Sequence, residues 1–175
     1  MKRVLYPVAV VLLSLGLSAC QQGSDEDEDD APAAATARAE LTAPTGTDDA
    51  AWKEYLGRVV GQNQDGVTDR TFPYYLPMNS TATDPEAGDG QSQYDRQLGN
   101  VAPAIQRGVL PGNMLAFGSP DSATMANLIV AAFAGAKPDA LAKSQVLFIG
   151  KSEDSDRVRA AVEAAGAKYI FVEVK

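Results

Sequence analysis

Two short segments gather most of the side chains in this sequence that could do chemistry. Gly118-Ser119-Pro120-Asp121-Ser122 and Gly150-Lys151-Ser152-Glu153-Asp154-Ser155 each follow an apolar run and open an amphipathic one. Hydroxyls, carboxylates and an ammonium in such turns suit two chemistries: an activated serine, or an anion cradled by a lysine and the amides of a helix N-terminus. The first lacks its usual base, because the chain contains no histidine. Gly118-Ser119-Pro120 is also not the G-x-S-x-G turn that exposes a nucleophile. The second lacks its glycines: Gly150-Lys151-Ser152 has no upstream glycine at the phosphate-loop spacing, and no G-x-G-x-x-G follows a strand. Asp121, Glu153 and Asp154 further place negative charge where a phosphate would sit. Serine and aspartate in these positions are ordinary helix caps, each contributing about 1 kcal/mol. The sequence therefore assigns no catalytic residue. It leaves Ser119, Asp121, Ser122, Lys151, Ser152 and Ser155 as the ligand-binding set, should the turns hold a small molecule.

Cys20 is the only cysteine, so the chain forms no internal disulfide, and with no histidine it has no metal-ligand set of the usual kind. The residues before it fall into three parts. Lys2 and Arg3 are basic, Val8 to Leu17 are apolar apart from Ser14 and Gly16, and Leu17-Ser18-Ala19-Cys20 ends the run. This order is that of a secretory signal, and its last four residues resemble the lipobox of bacterial lipoproteins. The resemblance implies cleavage before Cys20, a diacylglycerol thioether on its sulfur and an acyl chain such as palmitate on its new amino group. Two or more chains hold a protein stably where one does not. The address follows if the cell is Gram-negative. An aspartate after the cysteine commonly marks retention in the inner membrane, and Gln21 in its place points to the outer membrane, with the rest of the chain in the periplasm. An uncleaved membrane span is the competing reading, but the apolar stretch from Val4 to Ala19 is short of the ~20 residues needed and is interrupted by Pro7.

The net charge of −8 is unevenly placed. Residues 21–50 hold nine acids, six of them in the run Asp25 to Asp30, against Arg38 alone. With no aromatic residue and only Leu41 as a large aliphatic, this stretch is expected to be a disordered acidic tether. Residues 51–175 carry 14 acids and 12 bases and are nearly neutral. Nothing in that balance draws the protein to nucleic acid, whose phosphates the acidic run repels.

The elements that must position the two turns read as an α/β fold. Met114 to Phe117 and Gln145 to Ile149 are short apolar strands, and Lys168 to Val174 is a third. Between them run helices ending near Ala134 and Ala165, each finishing in Ala-Gly-Ala-Lys. A repeated strand–helix unit of this spacing means a small parallel sheet with right-handed crossovers. The continuous run Val146 to Ile149 belongs in the sheet interior and the alternating last strand at an edge. Upstream, Trp52, Tyr55, Leu56, Val59 and Val60 share one face of a helix starting at Asp48 or Asp49 and stopping before Gly61. Thr71 to Leu76 is expected as an edge strand because of Pro73. A helix from Ser92 is expected to break at Pro103 and resume over Ala104 to Arg107. The helix after Ser122 has a weakly polar outer face, so neighbours should cover it on both sides.

The reading is then a signal peptide over 1–19, a lipidated Cys20 with a tether to residue 50, and one α/β domain over 51–175, in which N-terminal helices pack on the C-terminal sheet. Its expected role is a non-catalytic interaction or structural module of the cell envelope. It has no cofactor beyond the lipid, and its partners are the membrane and an envelope protein. A small-ligand binder or enzyme using the crevice around Ser119 and Lys151 is the alternative.

Overall fold

The computed structural model describes residues 40–175. The expected signal peptide, Cys20 and the acidic run Asp25 to Asp30 lie outside them. Four parallel strands, β1 (Thr71–Tyr75), β2 (Met114–Gly118), β3 (Gln145–Gly150) and β4 (Lys168–Glu173), form one sheet in the order β1-β2-β3-β4. Four helices accompany them: α1 (Asp49–Gln62), α2 (Gln93–Arg107), α3 (Ser122–Phe133) and α4 (Ser152–Ala164). The protein is α/β, with a small parallel sheet and packed helices.

Strand parity sorts the core into two layers, because successive side chains point to opposite faces. Leu115, Phe117, Val146 and Phe148 meet Val101 and Ile105 of α2, Met125, Leu128 and Ile129 of α3, and Val158 and Val162 of α4. Met114, Ala116, Leu147 and Ile149 point the other way, onto Trp52, Tyr55, Leu56 and Val59 of α1. All three crossover helices thus lie on one face and α1 on the other. This follows when every crossover has the same hand and the strands add in one direction. Helix α3 is the middle of the three, flanked by α2 and α4. That is why its outer face needs few charges.

The edges fall where composition placed them. Leu76 N–H donates to Gly118 and Arg70 accepts from Met114, so even-numbered residues of β1 bond β2. Pro73 turns its missing donor to the outside. Strand β4 is the other edge. Leu41, the large aliphatic of the acidic stretch, packs with Ala43 on the α1 layer, and the Trp52 indole N–H donates to the Gly46 carbonyl at 2.7 Å. The packed chain therefore reaches back to residue 41.

Two helix boundaries differ from expectation. Helix α1 continues through Gly61 to Gln62 because the Asn63 and Gln64 side-chain amides donate to the carbonyls of Val59 and Val60, each at 2.8 Å. Helix α2 does not break at Pro103. The carbonyl this proline leaves unpaired is that of Gly99, four residues earlier, and both residues are exposed, so it faces solvent rather than the core.

Candidate functional site

The turns singled out in the sequence lie side by side, at the C-terminal ends of β2 and β3. Asp121 caps α3: its carboxylate accepts from the Thr124 amide at 3.0 Å and from the Thr124 hydroxyl at 2.7 Å. Ser119 is buried and its hydroxyl accepts from the Asp121 amide at 3.0 Å, holding the turn closed. Ser122 crosses between the turns. Its hydroxyl accepts from the Lys151 amide at 2.8 Å and donates to Asp154 Oδ2 at 2.6 Å.

Asp154, buried in the first turn of α4, is the hub of this joint. Its other oxygen accepts from Arg157 Nη2 at 2.6 Å and Nε at 3.2 Å. Arg157 in turn donates to the Ala123 carbonyl at 3.1 Å and to Asn127 Oδ1, so α3 and α4 are stitched together at their N-termini. Burial pushes the Asp154 carboxyl up, but the Ser122 hydroxyl, the Arg157 guanidinium and the Lys151 charge outweigh it and hold the group below the usual carboxylate range. A carboxylate so stabilised is a poor base toward a serine hydroxyl. The Ser122–Asp154 pair therefore has the spacing of an activated nucleophile without its chemistry.

The remaining residues of the set diverge. Lys151 occupies the N-cap position of α4 through its backbone alone, and its side chain is exposed, as is that of Ser152. Ser155 is buried and turns away from the joint, its hydroxyl 3.1 Å from the Tyr169 hydroxyl. Gly150 explains how the turns approach so closely. A Cβ there would lie 2.7 Å from Ser122 Oγ and would strike the Phe148 ring. On the opposite side, Leu56 of α1 comes to 3.4 Å from where a Gly118 Cβ would stand, closing the floor of the rim.

Topology gives the same result. Ligands in open parallel sheets bind where adjacent crossovers leave to opposite faces. Strand order β1-β2-β3-β4 has no such reversal, and the Ser122–Asp154–Arg157 joint bridges the two turns. Sequence reading found the turns but missed Asp154 and Arg157 as partners, although their i, i+3 spacing was a usable signal.

Two concavities lie away from this rim. One, of about 490 Å³, lies on the α1 layer among Leu41, Val59, Asn63, Val172 and Glu173. Another, of about 210 Å³, lies beside β1 between Phe72, Tyr74, Arg107 and Leu110. Among the described residues no cluster of acidic side chains is arranged to hold a metal ion, and no helix is long and apolar enough to cross a membrane. No protein-family model matches the chain, and neither a curated protein nor a solved structure is significantly similar to it.

Proposed function

We propose that the protein is a lipoprotein of the outer membrane, anchored through acylated Cys20, whose α/β domain works in the periplasm as a non-catalytic interaction or structural module of the cell envelope. The anchoring half of this reading rests on the order of basic, apolar and Leu17-Ser18-Ala19-Cys20 segments. One observation carries the other half: Ser119, Asp121, Ser122 and Asp154 of the strand-end rim are engaged within the turns and helix starts themselves. Ser119 and Asp121 close one turn, and Ser122 and Asp154 join it to the next. What is left for a partner is the outer surface.

In-cell crosslinking with mass spectrometry, comparing the native protein with Cys20→Ala, tests both halves. The expected result is a defined set of envelope proteins captured by the membrane-bound native chain and lost when Cys20→Ala releases it. A Cys20→Ala protein that stays in the membrane fraction would refute the anchor. A membrane-bound native chain that captures nothing specific would refute the interaction role.

A further inference from the structure

The two edges of the sheet are built differently. At β1 the outward-facing residues are Thr71, Pro73 and Tyr75, and the central one has no N–H to give. At β4, Lys168 N–H donates to Ser144 and Val174 N–H to Gly150, so even-numbered residues bond β3. The N–H and C=O groups of Tyr169, Phe171 and Glu173 face outward. Among the described residues none of these three takes part in a backbone hydrogen bond beyond the sheet. The strand carries no proline and no bulge, two of the devices that blunt an edge, and its charges, Lys168 and Glu173, stand only at its ends. Tyr169, Ile170, Phe171 and Val172 are all half-buried, with Lys168 and Glu173 exposed at the ends.

We propose that β4 pairs antiparallel with β4 of a second copy of this chain, about a two-fold axis through Phe171, to make a continuous eight-stranded sheet. The inference rests on the interaction-module reading and names its partner. Register follows from geometry. Opposed residues must share a face, so their numbers share parity. Only centring on Phe171 matches all three outward pairs of one strand with those of the other: Phe171 with itself, and Tyr169 with Glu173 in both directions. Charge agrees with this register. The Arg159 guanidinium stands over the Tyr169 ring, 5.4 Å from its centroid. Glu173 of the second copy, directly across from Tyr169 on that same face, comes alongside this cation, and the symmetry makes the pair twice. A two-fold through Glu173 would oppose two carboxylates, and one through Tyr169 would crowd two guanidinia. On the α1 face Ile170 then meets Val172 of the second copy, an apolar pair of the kind that stabilises cross-strand contact.

The test uses the full chain in the cells that make it, with a photoreactive benzophenone amino acid in place of exposed Lys168. Irradiation should give an adduct of twice the chain's mass. Glu173→Lys, an exposed change, should lower its yield about tenfold, since two like-charge contacts replace two attractions. Arg159→Glu combined with Glu173→Lys should restore it. Circular dichroism of each purified variant separates lost pairing from lost folding. An adduct indifferent to Glu173→Lys, or no adduct of that mass from a folded protein, would overturn the pairing. If the only adduct is with another protein, self-pairing fails while the interaction-module reading stands. If neither this position nor the Cys20 comparison captures anything, both fail.

Discussion

Ser122 sits where the chain passes from β2 into α3, and its hydroxyl is held by two groups of the next strand-to-helix turn. Sequence alone could place it at a helix start, because serine there has a local meaning. It could not show that the hydroxyl reaches across to Asp154, since that bond joins residues far apart in the chain. The same holds for Gly150, whose lack of a side chain matters only because Ser122 and Phe148 arrive from elsewhere. The Asp154 joint carries a signed pH dependence. Its folded-state pKa lies below the unfolded value of ~3.9. Its contribution is therefore complete above that value, declines as pH falls toward the folded pKa, and is gone below both. Asp154→Asn should cost about 2 kcal/mol at pH 7. Denaturant unfolding of both proteins should give a constant difference from pH 6 to 8 that shrinks once pH drops below about 4. A difference that grows with acidity would contradict the role given to Arg157 and Ser122.

Elements were legible where one physical term dominated. The parallel sheet, the interior β3 and the edge β4 followed from apolar runs alternating with helical stripes, and the edge β1 from a proline that cannot donate. Boundaries were less legible where a solvated backbone or a nearby side chain overruled propensity, as at Gly61 and Pro103. Helix α2 illustrates the compensation. Its start is fixed by a capping box, with the Ser92 hydroxyl accepting from the Asp95 amide at 3.0 Å and Asp95 accepting from the Ser92 amide at 3.2 Å. Arg96 adds a second fastening through Asp84 at 2.6 Å and Asp89 at 3.2 Å, which holds the preceding loop against the helix. Because Ser92 is buried, Ser92→Ala should destabilise the protein by about 1–2 kcal/mol, read as a lower denaturant midpoint at unchanged slope. An unaltered midpoint would mean that Arg96 alone secures the helix start.

Across the whole molecule, three helices cover one face of the sheet while α1 and the segment from Leu41 cover the other. This single direction of winding is what removes the usual crevice. It was not readable in advance, because local pattern gives strands and helices but not the order in which strands lie side by side. The repeated turns read in sequence as helix caps, with a ligand crevice as the alternative, and in three dimensions they also form a hydrogen-bonded joint between α3 and α4. The proposed function accordingly rests on the proposed anchor and on the outer surface.

The most direct test of that reading is a thermal-unfolding screen of the full chain against phosphate, nucleotides, sugar phosphates and dicarboxylates, run in parallel on Lys151→Ala. A rim that is only a joint gives no ligand-dependent rise in Tm for the native protein and the same melting profile for both chains across the panel. A compound that raises the Tm of the native chain in a concentration-dependent way, and does nothing for Lys151→Ala, would make the strand-end rim a binding site and contradict the reading of it as a joint.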